Sequence, residues 1–314
     1  MSSLMEALNA KAIDLGIPLS AHLDVTYRCN ERCVHCYLDH HDAGELTLAE
    51  IDDLLQQMAN AGVLFLTISG GEPLLRKDIF AIIRRARELT FNVKLKTNAI
   101  LIGQSEAARL RELGVETIQV SIYSHRPQIH DAITKVPGSL SRSIAAIRFL
   151  KSQDLKVTIA NVLMRQNRMD YPGVQKLAAE LGANFTIDPT ITPHINGDRS
   201  LLNLNVGLND LRRVLHDETI VGKIGEFCAP PSESSEDVLD GLPCSAGHSS
   251  CYVSPYGEVY PCVQFPLPSG NVRHQKFLDI WKCSPQLQEV RTIRARDLPV
   301  CSTCAHVGSC GRCP

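Results

Sequence analysis

A chain of 314 residues with 44% hydrophobic content has enough apolar side chains for one elaborated α/β domain, with or without a small appendage. With 32 Lys and Arg against 34 Asp and Glu, and a formal charge of -2, it has no basic field of the kind that holds a phosphate backbone, so nucleic acid is not an expected partner. No apolar run approaches the roughly 20 residues of a membrane span, and no secretory signal precedes the body of the chain. A reducing cytoplasm is therefore expected, where twelve cysteines do not form a disulfide framework.

The first 20 residues place Leu4, Leu8 and Ile13 among polar neighbours, which predicts a short amphipathic N-terminal helix. Apolar, β-branched runs then recur at 21–27, 63–71, 91–98, 115–123, 156–164 and 183–190, each of strand length. Helical spacing fills 48–61, 78–89, 105–113, 139–151 and 171–181, with a sixth helix over 208–215. Thr47 with Glu50 three residues on reads as the capping box that opens the first of these. Such alternation requires right-handed crossovers and a mainly parallel sheet. Without a Gly-rich dinucleotide loop, the six units predict an α/β partial (β/α)6 TIM-type barrel over 21–217, with its chemistry at the carboxyl ends of the strands. Residues 218–240 read as a linker, and 241–314 as a small cysteine-rich domain.

The cysteines are distributed unevenly. Three fall in "TYRCNERCVHCYLDHH" directly after the first strand, none lies between Tyr37 and Phe227, and nine lie from Cys228 to Cys313. A structural zinc site closes with four ligands, whereas an iron–sulfur cluster on three thiolates leaves one iron open to a ligand that is not protein. Cys29, Cys33 and Cys36, in C-x3-C-x2-C spacing, are three. At the end of the second strand "SGGEP" places Gly70 and Gly71, where a backbone can approach a ligand closely, before Glu72 and Pro73. His40 and His41 beyond the cysteines read as a solvated loop, "RRARE" (Arg84 to Glu88) as a solvated helix face, and Trp281 with Phe277 and Ile280 as core.

In these two motifs the chain resembles the radical S-adenosylmethionine (SAM) superfamily. The resemblance implies a [4Fe–4S] cluster on Cys29, Cys33 and Cys36, with SAM bound at its open iron beside Tyr37 and the Gly70–Pro73 turn, where Glu72 faces the ammonium of SAM. It carries over more loosely to Thr97 and Asn98 after the third strand, Ser121 on the fourth and Asn161 on the fifth as cofactor-binding positions. His130, in "HDAIT", resembles the matching loop of the peptide-modifying branch and reads as structural.

The C-terminal part adds an independent pattern. "VSPYGEVYPC" reads as a hairpin that leads to Cys262, and "CSTCAHVGSCGRC" supplies Cys301, Cys304, Cys310 and Cys313. Together they resemble the SPASM extension of radical SAM maturases, which implies one or two auxiliary [4Fe–4S] clusters. Matched to it, Cys244, Cys251, Cys262 and Cys313 hold the first, and Cys301, Cys304 and Cys310 begin the second; either the chain is truncated before its fourth ligand, or Cys283, Cys228 or a non-thiol group fills the place, or that cluster keeps an open iron.

A P-loop, HExxH and G-x-S-x-G are all absent, which leaves phosphoryl transfer, zincin hydrolysis and elbow-type acyl transfer without support. The resemblance implies an enzyme that cleaves SAM to a 5′-deoxyadenosyl radical and takes hydrogen from a ribosomally made peptide, as pyrroloquinoline quinone maturase-type enzymes do. Alternatives are tetrapyrrole side-chain removal or decarboxylation, sulfatase maturation, and a non-catalytic iron–sulfur electron carrier. Expected partners are the substrate and an external flavodoxin- or ferredoxin-type donor. About twenty residues precede the first strand, too few for a fused leader-binding module, so either a separate leader-peptide-binding protein or none at all is expected.

Overall fold

The computed structural model describes residues 2–40, 42, 44–223, 235–304 and 307. Six strands alternate with helices in the order expected: β1 (Ser20–Asp24), β2 (Phe65–Ser69), β3 (Asn92–Thr97), β4 (Thr117–Ser121), β5 (Val157–Val162) and β6 (Asn184–Asp188). Each pairs in parallel with the next, from Ser20↔Phe65 at one side to Thr158↔Asn184 at the other. The N-terminal helix α1 spans Ser2–Asp14. The crossovers are α2 (Leu48–Asn60), α3 (Ile79–Glu88), α4 (Gln104–Glu112), α5 (Pro127–Thr134) with α6 (Ser139–Ser152), and α7 (Tyr171–Glu180). Helix α5 covers "HDAIT", which the sequence pattern leaves in a loop. Pro127 at its first turn supplies a pre-set φ, and Ile133 supplies a buried anchor.

Helix α2 starts where its capping box places it, with Glu50 N donating to Thr47 Oγ1 and Thr47 N donating to Glu50 at 2.7 Å. Its apolar face, Ile51, Leu54, Leu55 and Met58, packs on the sheet with the Ile79, Ile82 and Ile83 face of α3. Short helices α8 (Leu208–Leu215), α9 (Glu218–Val221) and α10 (Ser235–Asp240) follow the sixth strand.

The cysteine-rich segment joins the same sheet. Strand β7 (Ser250–Val253) pairs in parallel with β1, and the hairpin continues antiparallel through β8 (Glu258–Tyr260) to β9 (Gly270–Asn271). Among the described residues the nine strands run β6-β5-β4-β3-β2-β1-β7-β8-β9 and do not close. The core is equally continuous. Cys251, Val253 and Val259 from the hairpin, with Phe277, Ile280 and Trp281 of α11 (Phe277–Cys283) and Leu287 of α12 (Pro285–Thr292), pack in one cluster with the barrel residues. Trp281 is buried, donates from Nε1 to Gly16 O at 2.7 Å, and lies under the Arg291 guanidinium.

Because Trp281 sits in the shared core, Trp281→Ala should lower unfolding free energy by about 3–5 kcal/mol. It should do so in one transition of the metal-free chain in urea. Two separated transitions would contradict the shared core.

Candidate active site

The loop after β1 is stitched to the turn after β2 by backbone alone. Gly71 N donates to Thr26 O at 2.8 Å and Glu72 N donates to Arg28 O at 2.9 Å. A Cβ on Gly70, whose φ is 134°, would stand 2.1 Å from Thr26 O, and one on Gly71 2.3 Å from Arg28 O. Any side chain there would push the two loops apart, which is why both positions are glycine. From above, the loop is held by α5, with Arg32 N donating to Thr134 O and Val34 N to Ile133 O. From below it is held by buried Arg76, which donates to Val25 O and Leu46 O while paired with Asp78.

Glu72 is fully enclosed. Its carboxylate accepts from Leu74 N at 3.0 Å, from Thr97 Oγ1 at 2.8 and 2.9 Å, and from Asn98 N at 2.8 Å. Burial pushes its pKa up to about 7 against those hydrogen bonds, which pull it down. The chain itself occupies this carboxylate, which ties the turn after β2 to the end of β3. Pro73 is buried beside it and begins a single 3₁₀ turn. Asn98 in turn donates to Asn30 Oδ1 at 2.7 Å, and its carbonyl accepts from Ser143.

At the carboxyl ends of the strands these loops enclose a cavity of about 610 Å3. Cys29, Cys33 and Cys36 line it, as do Tyr37, Gly70, Gly71, Thr97, Asn98, Ser121 and Asn161. Glu72 and Pro73 do not reach it. Asn161 donates to Ile122 O, while its buried Oδ1 has no partner. His35 Nδ1 and Glu31 Oε1 are likewise buried and unpartnered, and both side chains border the cavity. Buried polar atoms are almost always paired, so three orphans around one cavity mark where ligand atoms belong. Tyr123 adds a flat wall, edge-on to His35 at 4.7 Å and stacked on His130.

The three thiols fit a multi-iron cluster. Burial pushes Cys29 up to about 12 and raises Cys33 and Cys36 as well, so the bare loop holds thiols; positive charge from iron would make them thiolate ligands. Among the described residues no three His, Cys, Asp or Glu side chains converge tightly enough for one ion. The cysteines instead border a space, with two glycines and an unpartnered amide oxygen opposite.

The other cysteines are less gathered. Cys251 is buried in β7, and Cys262 is half-buried beside cavity-lining Val263 and Gln264, its thiol pushed up by burial first and further by exposed Cys244. Cys301 and Cys304 lie on a 3₁₀ turn, and Cys283 is exposed at the end of α11. Cys228, Cys310, Cys313 and His41 lie outside the described residues.

Sequence reading misses the lower cavity wall: His22, Lys94, Lys96, Gln119, Thr158 and Asp188. The signal was present in "NVKLKT", where a polar residue at every second position contradicts the near-continuous apolar run of a parallel strand covered on both faces.

Comparison with known proteins agrees with this geometry. Residues 23–178 match the radical SAM superfamily model and 244–305 the SPASM iron-sulfur cluster-binding domain. The chain is 35% identical over 322 residues to the pre-heme d1 synthase of Dinoroseobacter shibae, covering 92% of this chain and 79% of that one. It is 28% identical over 310 residues to the mycofactocin maturase MftC of Mycobacterium tuberculosis, covering 94% and 78%. The solved structure of Streptococcus suis SuiB bound to precursor peptide SuiA shares the fold, with a TM-score of 0.76 and 20% identity over 97% of this chain and 74% of that one. The chain belongs to the radical SAM superfamily and carries a SPASM region. It is an iron–sulfur enzyme that uses SAM.

Glu72→Gln must turn an amide NH2 toward backbone donors, so it should lower unfolding free energy by about 1–3 kcal/mol; thermal or urea unfolding of the metal-free chain reads this. His130 is 1% exposed, accepts from Tyr123 N, and is held by burial at a pKa of about 4. A histidine depressed in this way contributes stability that is present above pH about 6.5 and lost as pH falls through about 4, up to about 3 kcal/mol. His130→Asn should flatten that part of the pH–stability profile.

Proposed function

We propose that this enzyme takes hydrogen from a ribosomally made peptide, using the radical formed by reductive cleavage of SAM. The observation that carries the reading is the outer edge of β6, which has no strand partner among the described residues and adjoins the cavity through Thr186, Asp188 and the segment to Thr192. A free strand edge offers backbone donors and acceptors to an extended peptide. The volume supports it too: about 610 Å3 is the scale that encloses one drug-sized ligand, and SAM is one. What remains suits a side chain presented by a substrate whose bulk lies outside. SuiB bound to its precursor peptide and the mycofactocin maturase are relatives of the same kind.

In this reading Cys29, Cys33 and Cys36 hold a [4Fe–4S] cluster, and cysteines of the SPASM region hold one or two more. When bound, the first cluster supplies the electron that splits SAM into methionine and a 5′-deoxyadenosyl radical. Gly70 and Gly71 keep the backbone close to the SAM site, and Glu72 ties the turn after β2 to the end of β3. Asn161 Oδ1 and Ser121 offer acceptors to SAM. Tyr123, His35 and His130 form a wall that keeps water from the radical. An external flavodoxin- or ferredoxin-type donor supplies the electron. Clusters held by thiolates suit a reducing, cytoplasmic setting; no helix of the described residues is long and apolar enough to cross a membrane.

A second reading, removal or decarboxylation of tetrapyrrole side chains, is favoured by the 35% identity with pre-heme d1 synthase. One experiment separates the two. The chain is reconstituted anaerobically with iron and sulfide, reduced with dithionite and given SAM with either precursor peptides encoded beside its gene or a propionate-bearing porphyrin. Formation of 5′-deoxyadenosine should vanish in Cys33→Ala, and mass spectrometry should find the peptide altered. An altered porphyrin beside an unaltered peptide would replace the first reading with the second.

A further inference from the structure

The barrel interior departs from its ordinary filling. Lumens of this fold are packed with branched apolar side chains, yet β3 turns only Val93 and Leu95, both fully buried, toward the surrounding helices, and places Lys94 and Lys96 on the face that lines the cavity. Neighbouring strands add His22, Gln119 and Thr158 to the same wall. Neither ammonium forms an ion pair with a described residue, although burial disfavours the charge of both.

The acids that face Lys96 are Asp24 and Asp188. Asp24 is fully buried and already accepts from Tyr252 Oη at 2.9 Å and from His22 Nε2 at 3.1 Å. Asp188 stands on the exposed edge strand and accepts from Thr190 N. Asp24 already serves two donors and Asp188 lies at the exposed edge, so the lysine pair, walled otherwise by hydroxyl, amide and imidazole groups, leaves a further anion unaccounted for. A lysine pair in a partly dry lumen gains most from a carboxylate that brings charge and acceptors together.

We propose that Lys94 and Lys96 form a carboxylate-binding floor that seats an acidic group of the substrate: an aspartate, glutamate or C-terminal carboxylate of a peptide. The floor lies along β3 before Thr97 and Asn98, which border the cysteine-lined end of the same cavity. A carboxylate seated there holds the neighbouring carbon chain toward that end. The assignment deepens the peptide reading and rests on it.

The test uses the reconstituted full chain saturated with SAM and titrated calorimetrically with two capped tripeptides, acetyl-Gly-Glu-Gly-amide and acetyl-Gly-Gln-Gly-amide. The glutamate peptide should bind about tenfold more tightly or better. That preference should disappear in Lys96→Gln, weaken in Lys94→Gln, persist in Lys96→Arg, and be untouched by Lys156→Gln at an exposed position. Iron content and the circular-dichroism spectrum show that each variant has folded. Equal binding of the two peptides overturns the carboxylate floor while leaving a peptide substrate standing. If neither peptide binds, protoporphyrin IX is titrated in their place: binding lost in Lys96→Gln keeps the floor and removes the peptide. No carboxylate-dependent binding of either probe overturns both.

Discussion

The site depends on the contact of two backbones. The loop after β1 and the turn after β2 approach until Gly71 N and Glu72 N donate to Thr26 O and Arg28 O, at a separation that leaves no space for a Cβ on either glycine. From this contact follow the position of the three thiols, the open space opposite them, and the need for a carboxylate beneath to hold the turn in register. Glu72 meets that need by collecting donors from its own turn and from the end of β3, so three strand ends move as one body. Rigid framing of this kind is what radical chemistry needs, since a loose cavity would admit water and side reactions.

The same logic extends to the C-terminal segment. Its hairpin adds β7 to β1 in parallel register, and Tyr252 reaches across to Asp24 and to Tyr27, whose hydroxyl lies 2.6 Å away. Cys251 is thereby carried on the sheet that also carries the first cysteine loop. Cys262 and the cavity-lining Gln264 come beside the cavity because a strand extends the sheet, with Gln264 donating to Thr192 beyond β6. An auxiliary cluster here would share the walls of the cavity.

Much of the fold was legible because its signals are local. Thr47 and Glu50 mark a helix start by their own hydrogen bonds, the runs ending at Ser69, Thr97 and Ser121 have strand length and composition, and C-x3-C-x2-C needs no tertiary context to be rare. Helix α5 escaped because its eight residues, opened by Pro127, carry too short a pattern to stand out from a loop. Glu72 illustrates a different limit: a motif places a carboxylate beside a ligand site, but only folded neighbours decide whether the ligand or the chain uses it.

By itself the sequence determined the alternation of strands and helices, the cysteine triad after the first strand and the hairpin that leads to Cys262, since periodicity, capping and ligand spacing are properties of neighbouring residues. Tertiary structure alone decided that the hairpin extends the barrel sheet, that Glu72 turns inward to Thr97 and Asn98, and that Lys94 and Lys96 face a cavity without an ion pair to any described residue. Those facts depend on which strand lies beside which, and on what stands across a lumen between residues far apart in the chain. Pairing and burial are settled by the closing of the whole core, which no single stretch of sequence contains.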